Sequence, residues 1–271
     1  MEALREALVA SDEEMDEARV VPFCGGAAAL YSTRAPDKDG PNEDGAALIP
    51  AGEHRGVLAV ADGMGGRPAG ATAAAIALGC LKERVAGAED DEASLRAAIL
   101  DGVEQGNRRI LDLGVGAATT LAVAEIAGGT LRPFHVGDSG ILVVGQRGKV
   151  KRQTVMHSPV GYAYEAGVLD EQEALHHDER HLVSNMVGAP DMRIEVGSAL
   201  RLAARDTVLL ATDGLLDNLS LREIVETIRT GPLPTAAATL ATRCAQRMQT
   251  PDRDHPSKPD DLTFVLFRQA F

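Results

Sequence analysis

The chain has 271 residues, of which 45% are hydrophobic and 25% charged. This composition is typical of globular proteins and excludes a mainly disordered or collagen-like chain. No apolar run reaches the roughly 18 residues that a membrane helix needs, and a basic block followed by an apolar one, as in a secretory signal, is absent from the start of the sequence. The net charge of −13 argues against nonspecific binding to nucleic-acid phosphates. We therefore expect neither a membrane nor a nucleic acid as a partner.

The cysteine pattern indicates a reducing compartment. Cys24, Cys80 and Cys244 are far apart and odd in number, so neither a disulfide framework nor a zinc site is expected. We predict a cytoplasmic location. The acidic balance has two interpretations, a solvated surface or a set of carboxylates that hold divalent cations, and charge alone favours the surface.

In chain order, residues 1–25 are predicted to be an N-terminal appendage, either a short helix or a mobile arm. Residues 26–271 are predicted to form a single domain. Short apolar runs bounded by Gly, Pro and Asp predict strands at 28–33, 46–50 and 56–61. Hydrophobic periodicity then predicts helices at 69–85 and 92–113.

The second half begins with predicted strands and ends with helices and a last strand. The strand predictions cover 119–126, 131–136, 141–145, a short segment near 150, 196–202, 207–211 and 262–267, and the helix predictions cover 221–229 and 236–248. Gly128-Gly129 is predicted to form a hairpin turn. A regular strand–helix alternation is missing, which disfavours a doubly wound parallel sheet. We predict an α+β fold, a four-layer α/β/β/α sandwich of two antiparallel sheets flanked by helix pairs.

Acidic residues lie at the ends of several of these predicted apolar strands. They are Glu43 and Asp44, Asp62 before Gly63, Asp138, Asp213 before Gly214, and Asp260 with Asp261. An Asp at the end of a buried strand is held in a fixed direction, and a following Gly permits a close backbone approach. No Arg or Lys directly adjoins these motifs, so converging carboxylates would repel one another unless a cation lay between them.

Oxygen-only ligands suit Mg²⁺ or Mn²⁺, and two such ions can hold a hydroxide that attacks phosphorus. The alternative interpretation is that each Asp-Gly pair only makes a turn. Spacing by itself leaves both interpretations open.

The segments VADGMGG, GAATTL, HVGDSG, HSPV, LLATDGLLDNLS and DDLTFVLFR resemble the metal-dependent protein phosphatases of the type 2C class, bacterial branch. The resemblance spans about residues 28–268 and implies the same β-sandwich. It also implies direct hydrolysis of phosphoserine and phosphothreonine by a water that bridges two Mn²⁺ or Mg²⁺ ions, with a third ion in some members. The implied partners are phosphorylated proteins, including a serine/threonine kinase, and a monomer is expected.

The resemblance also implies roles for individual residues. Asp62 and Asp213 would be catalytic, with Asp62 bridging both ions and the Gly63 carbonyl binding one of them. Asp213 and Asp260 would complete the shell of the first ion, Glu43 and Asp44 would contact the second, and Asp138 with Asp213 would hold the third. Thr119 and Thr120 would be a structural pair, and residues 157–190 would form a mobile flap beside the site.

The sequence departs from the family pattern at the residue that binds the substrate phosphate. Asp39 stands where the family usually has an arginine, so Lys38 or Arg34 is the candidate substitute, although a lysine is a point charge and not a bidentate fork. This departure keeps two alternatives open: a noncatalytic phosphatase-fold binding module, or a same-fold enzyme that acts on another phosphorylated substrate.

The histidines are expected to have no metal role. His176, His177 and His181 fall in the predicted flap, His157 is expected to form hydrogen bonds, and His135 is expected to be a satisfied core residue.

Overall fold

A computed structural model describes residues 4–64, 69–89, 91–251 and 255–269. Gly65 and Gly66 of the VADGMGG motif, residues 1–3 of the predicted appendage and residues 270–271 of the predicted domain lie outside these described ranges. No helix among the described residues has the length and apolar character needed to span a membrane.

Helices divide the strands into four groups along the chain. They are β1 (Leu8–Ser11), β2 (Arg19–Phe23), β3 (Gly26–Thr33), β4 (Asp44–Pro50), β5 (Arg55–Asp62), β6 (Leu121–Ala127), β7 (Thr130–Val136), β8 (Gly140–Val144), β9 (Val150–Gln153), β10 (Glu195–Val196), β11 (Leu200–Arg201), β12 (Thr207–Ala211) and β13 (Leu262–Gln269). The helices are α1 (Gly70–Ala86), α2 (Glu92–Asp112), α3 (Pro159–Glu165), α4 (Glu171–Leu175), α5 (Asp213–Leu216), α6 (Leu221–Ile228) and α7 (Leu233–Gln249), with a 3₁₀ helix at Asp178–His181.

The strands form two antiparallel sheets. The first has the order β1-β4-β5-β6-β7-β10, with β11 also paired to β7, and the second has the order β2-β3-β13-β12-β8-β9. The second sheet combines strands from distant parts of the chain, because β13 inserts between β3 and β12. The turn at Gly128-Gly129 joins β6 to β7, and both glycines have positive φ, as the hairpin prediction requires.

Side chains of the first sheet alternate between two apolar layers. Ala46 and Leu48 of β4 face the core between the sheets, whereas Ala47 and Ile49 pack under α1 and α2. This period of two matches the geometry of a strand that is buried on both faces. Helices α6 and α7 cover the second sheet. The predicted four-layer α/β/β/α architecture is confirmed.

The N-terminal prediction is wrong for the described residues. Residues 8–11 and 19–23 are strands and not a helix or an arm, because β1 pairs with β4 and β2 pairs with β3. The helical spacing of Leu4 and Leu8 reflects two apolar side chains that pack on the core from an extended segment. Tertiary pairing overrides the local periodicity here.

The region predicted as a flap, residues 157–190, contains the two short helices α3 and α4 and the 3₁₀ helix. The strand predicted at 196–202 is split into the two-residue strands β10 and β11, both on β7. The return from the flap is an isolated bridge between Val187 and Thr119 and not a full strand.

Candidate metal centre

The acidic motifs meet at one edge of the sandwich. In the first sheet, Asp44 at the start of β4 is the register partner of Asp62 at the end of β5. In the second sheet, Ala211 at the end of β12 lies opposite Gly140, the first residue of β8. Antiparallel pairing thus places the end of one strand beside the start of the next, which brings together the segments that carry the predicted acidic residues.

A side-chain hydrogen bond joins the edges of the two sheets. The Thr212 hydroxyl, from the second sheet, donates a hydrogen bond of 2.8 Å to the Asp44 carboxylate of the first sheet. Asp213 directly follows Thr212 in the chain, and repulsion from its carboxylate helps to raise the pKa of Asp62 in the first sheet. The acidic residues therefore form one cluster and not separate solvated patches.

Burial and like charge act together on this cluster. Burial, followed by repulsion from Asp213 and Asp44, raises the pKa of Asp62 well above its ordinary value. Burial is also the largest cause of the raised pKa of Asp44 and of Asp138. Burial and repulsion from Asp213 raise the pKa of Asp260 to about 6. Each carboxylate is more costly to ionise than in water, which is the condition that a bound cation relieves.

The donor set fits a hard divalent cation. Asp138 is only 5% exposed, and one of its oxygens, Oδ1, has no hydrogen-bond partner among the described residues. A buried carboxylate oxygen is normally hydrogen-bonded, so this atom is free to act as a ligand. All of the predicted ligands offer oxygen, the donor that Mg²⁺ and Mn²⁺ prefer.

Gly63 sits where a side chain could not be accommodated. Its amide donates a hydrogen bond of 3.0 Å to the Glu43 carbonyl, and a Cβ on Gly63 would lie 2.4 Å from the Gly70 carbonyl oxygen and carbon. A Cβ on Gly70 would in turn lie 2.6 Å from Glu43 Oε1. The two glycines let the first turn of α1 approach the end of β5 and the Glu43 carboxylate.

Gly214 permits an equally close approach on the other side of the cluster. A Cβ on this residue would lie 1.8 Å from the Asp261 carbonyl oxygen. The turn that carries Asp213 therefore packs directly on the backbone that carries Asp260 and Asp261. The close approach expected for Gly after an end-of-strand Asp is confirmed at this position.

Asp261 holds the neighbouring loop in place. Its buried carboxylate accepts hydrogen bonds from the Ala35 amide at 2.8 Å, the Glu43 amide at 2.7 Å and Lys38 Nζ at 2.6 Å. Lys38 Nζ also lies 2.9 Å from Glu43 Oε2. Of the two candidate phosphate-gripping residues, Lys38 therefore lies beside the acidic cluster. Arg34 instead donates to the Gly40 carbonyl at 3.1 Å and to Glu14 at 3.3 Å.

Thr119 and Thr120 act on the backbone of Asp62. The Thr119 hydroxyl and the Thr120 amide donate to the Asp62 carbonyl at 2.8 and 2.9 Å. The Asp62 amide donates to the Thr120 hydroxyl at 3.2 Å. The pair fixes the end of β5, as the structural role implied by the resemblance requires.

The expectation that the acidic cluster contains no bases is wrong. Lys258 Nζ contacts Asp213 Oδ2 and lies 3.1 Å from Asp260 Oδ2 and 3.2 Å from Asp217 Oδ2. Sequence reasoning overlooked both Lys258 and Asp217, because neither directly adjoins a predicted ligand. The available signals were the position of Lys258 two residues before Asp260 and the position of Asp217 one helical turn after Asp213.

A second cluster of possible metal ligands lies at the base of the flap. Single ligand atoms of His135, His157 and Glu195 lie within 4.8 Å of one another. The Gly137 amide donates to His157 Nδ1 at 3.1 Å, so in the neutral ring the proton is on Nε2, which lies 3.1 Å from Glu195 Oε2. His135 Nε2 bonds the Val155 carbonyl at 2.8 Å. These hydrogen bonds satisfy both rings, as expected for His135 and His157.

The three flap histidines make only local contacts among the described residues. A ring nitrogen of His176 bonds the Gln172 carbonyl, one of His181 bonds the Asp178 carbonyl, and one of His177 accepts from the Glu179 amide. None belongs to a candidate ligand cluster in the described part of the chain.

A cavity of about 510 Å³ opens between the acidic cluster and the flap. Asp138, Asp213 and Asp217 line one end, and side chains such as Val160 and Leu169 line the flap side. A polar end beside an apolar wall is the usual make-up of a ligand-binding cavity.

A sandwich of two antiparallel sheets with a cluster of carboxylates at one edge is the fold that this chain shares with bacterial serine/threonine phosphatases. The model of the protein phosphatase 2C family matches residues 33–253. The chain belongs to this family.

Curated relatives and solved structures agree with this assignment. The chain is 31% identical over 193 residues to the protein phosphatase PhpP of Streptococcus pneumoniae, which covers 68% of this chain and 77% of that protein. The serine/threonine phosphatase of S. agalactiae superposes with a TM-score of 0.77 at 26% identity, covering 89% of this chain and 98% of that one. The catalytic domain of the phosphatase PstP, solved with two manganese ions, superposes with a TM-score of 0.71 at 25% identity, covering 90% of this chain and 98% of that one.

Proposed function

We propose that the chain hydrolyses phosphoserine and phosphothreonine in proteins, using two Mn²⁺ or Mg²⁺ ions and a third, weaker one. The observation that carries this proposal is the convergence of carboxylates from separate strand ends on one edge of the sandwich, in a chain of the protein phosphatase 2C family. Relatives named as serine/threonine phosphatases, and the two manganese ions of the PstP catalytic domain, support it.

The proposed ligands divide among the ions as the resemblance implies. Asp62 would be shared by the first two ions, with Asp62 and Asp213 closest to the chemistry. The remaining proposed ligands are the Gly63 carbonyl, Glu43, Asp44, Asp138 and Asp260. The hydrogen bonds from Thr119, Thr120 and Thr212 support this assignment, because they fix the two residues, Asp62 and Asp44, at the adjoining ends of β5 and β4.

When bound, the ions lower the pKa of a water to provide the nucleophile and neutralise charge on the phosphoryl group. The chain supplies the rest. Asp62 and Asp213 would hold the ions from the ends of strands in two different sheets, which would fix their position relative to a bound substrate. Lys38 Nζ would turn from Glu43 toward the substrate phosphate as a point charge. The cavity below the flap would accept the apolar flank of the phosphorylated segment.

We also propose that the substrates are phosphorylated proteins, including a serine/threonine kinase, and that the protein is a cytoplasmic monomer. Cys24, Cys80 and Cys244 are all free and buried, which supports a reducing compartment. The net charge of −13 favours a dispersed, monomeric state.

The proposal is tested by hydrolysis of p-nitrophenyl phosphate and of a phosphothreonine peptide with Mn²⁺, with and without EDTA. We expect Mn²⁺-dependent turnover that EDTA abolishes and that Asp62→Asn or Asp213→Asn reduces by about 100-fold or more, the scale seen when a catalytic electrostatic group is removed. Asp101→Asn, on the exposed face of α2, is the matched control and should retain full turnover.

Two results would contradict the proposal. A folded protein without metal-dependent turnover that binds the phosphothreonine peptide without releasing phosphate would favour the noncatalytic binding module. Turnover of p-nitrophenyl phosphate without release from any phosphopeptide would favour a same-fold enzyme with another phosphorylated substrate.

A further inference from the structure

Lys258 is placed among the carboxylates by its own backbone. The Lys258 amide donates to Asn218 Oδ1 at 2.9 Å, and Asn218 Nδ2 donates to the Lys258 carbonyl at 2.8 Å. Asn218 is fully buried directly after α5. A two-point clamp of this kind fixes where the lysine side chain starts. The amine therefore reaches the acidic cluster because the fold directs it there.

The amine contacts two of the carboxylates that are proposed to bind the ions. Lys258 Nζ contacts Asp213 Oδ2 and lies 3.1 Å from Asp260 Oδ2. A divalent ion binds such oxygens at roughly 2.0–2.6 Å. An ammonium group carries three donors and no acceptor, so Lys258 cannot itself become a ligand of the ion. At such distances the two positive charges would also repel each other strongly.

The third partner of the amine remains available when the other two bind an ion. Asp217 Oδ2 lies 3.2 Å from Lys258 Nζ and is not among the proposed metal ligands. Asp217 follows Asp213 by one helical turn, so a small rotation of the lysine side chain would transfer the amine to it alone. Lys258 can therefore compete with the ions for Asp213 and Asp260, and its amine can pair with Asp217 once the ions are bound.

We propose that Lys258 is a tethered cation that stabilises the acidic cluster before the ions bind and that ion binding must displace from Asp213 and Asp260. This inference rests on the proposed metal centre. Lys258 would lower the affinity for the ions and raise the stability of the protein in metal-free buffer. It is a positioning residue and does not touch the substrate.

Lys258→Met, which keeps the length and removes the charge, tests the proposal by calorimetric titration with Mn²⁺ and by thermal unfolding. We expect Mn²⁺ to bind about tenfold more tightly, a modest share of a close charge–charge interaction near a protein surface. The melting temperature should fall in EDTA, where the carboxylates lose their counter-ion, and should match the unaltered protein in saturating Mn²⁺. Lys258→Arg, which keeps the charge, should retain the original Mn²⁺ affinity.

Lys151→Met is the matched control. Lys151 Nζ lies 2.6 Å from the buried Asp206, a similar lysine–aspartate pair that contains no proposed ligand. This variant should lower the melting temperature equally with and without Mn²⁺ and leave the Mn²⁺ affinity unchanged. Lys258→Gln replaces Lys258→Met if the latter shows no cooperative unfolding in Mn²⁺.

The outcomes separate this inference from the proposed function. If the unaltered protein does not bind Mn²⁺, both proposals are overturned. If it binds Mn²⁺ but the uncharged variant binds with equal or lower affinity, or if Lys258→Arg gains as much affinity as Lys258→Met, the inference about Lys258 is overturned and the metal centre stands.

Discussion

The Thr212 hydroxyl donates a hydrogen bond of 2.8 Å to Asp44 Oδ2, although the two residues are 168 positions apart in sequence. The Thr212 amide donates to the Thr263 carbonyl at 3.0 Å, and the Thr263 amide donates to the Thr212 hydroxyl at 3.2 Å. Thr212 thus ties an acid of the first sheet to two strands of the second. The acidic cluster depends on this contact for the direction of Asp44.

Thr212→Val keeps the shape of the side chain and removes the hydroxyl. Because the buried Asp44 carboxylate loses its partner, we expect the free energy of unfolding to fall by about 1–3 kcal/mol and the affinity for Mn²⁺ to weaken. Urea unfolding and Mn²⁺ titration measure the two effects.

The control for Thr212→Val is Thr239→Val, which removes a hydroxyl that bonds the Thr235 carbonyl on the surface of α7. A surface change of this kind should stay within about 0.5 kcal/mol. Equal effects of the two substitutions would show that Thr212 does not organise the site.

Gly214→Ala places a methyl group where the structure has a backbone atom. Its Cβ would lie 1.8 Å from the Asp261 carbonyl oxygen, so the turn that carries Asp213 must shift. We expect a loss of about 1–3 kcal/mol in stability, the usual scale of overpacking, together with loss of Mn²⁺-dependent turnover.

Gly79→Ala should have the opposite effect on stability to Gly214→Ala. Apart from the adjoining backbone of α1, no atom of the described residues lies within 4 Å of a Cβ at Gly79, so removing a helix-interior glycine should stabilise the protein by about 0.5–1 kcal/mol. Chemical denaturation of both variants checks the pair. A Gly214→Ala protein as stable and active as the unaltered one would contradict the close packing of the turn.

In EDTA, the aspartates with raised pKa values should make the protein less stable as pH rises. The pKa of Asp260 is raised from 3.8 to about 6, mainly by burial and secondly by repulsion from Asp213. The folded state therefore binds more protons than the unfolded state between these values, and this contribution to stability is present below about pH 4 and is lost as pH rises through about 6. The raised pKa values of Asp44, Asp62 and Asp138 act in the same direction.

Melting temperatures of the unaltered protein and of Asp260→Asn, recorded in EDTA from pH 4 to 7.5, test this prediction. We expect the difference between them to grow in favour of Asp260→Asn as pH rises, because only the unaltered protein must ionise Asp260. Saturating Mn²⁺ should remove the advantage of the variant. A difference that is flat with pH, or that runs the other way, would refute the raised pKa of Asp260.

Lys38→Ala should mainly raise the KM for a phosphopeptide. Loss of one charge-assisted contact to phosphate is worth about 1.5–3 kcal/mol, so we expect KM to rise about tenfold or more while kcat changes little. Steady-state kinetics separate the two constants. Arg34→Ala is the control, because that guanidinium bonds Gly40 and Glu14 and should leave KM unchanged. An unchanged KM in Lys38→Ala would exclude Lys38 from phosphate binding.

Local sequence signals were sufficient for most of the fold. The strand predicted at 56–61 corresponds to β5 (Arg55–Asp62), and the helix predicted at 92–113 corresponds to α2 (Glu92–Asp112). The prediction of α2 succeeded because its hydrophobic periodicity is strong. In addition, Asp91 caps its N-terminus by accepting a hydrogen bond from the Ser94 amide. Residues 8–11 were misjudged because a short edge strand depends on its partner, β4, and carries little signal of its own.

The acidic residues of the site were visible in the sequence because each follows or precedes an apolar strand. The resemblance to a phosphatase family gave them roles. What neither could show is the set of neutral and basic groups around them. Thr212 bonds Asp44 and Lys258 contacts Asp213, residues that lie 168 and 45 positions away in the chain, and no spacing rule predicts such contacts.

The sequence by itself determined most of the strands after residue 25 and the acids that stand at their ends, since both follow from local hydrophobic pattern and turn chemistry. Only the tertiary structure decided that these ends share one edge of the sandwich, because β13 inserts between β3 and β12 and antiparallel pairing sets their register. It also decided that a lysine amine lies between Asp213 and Asp260. Buried like charges can approach so closely only where the surrounding chain supplies a positive group or leaves room for one.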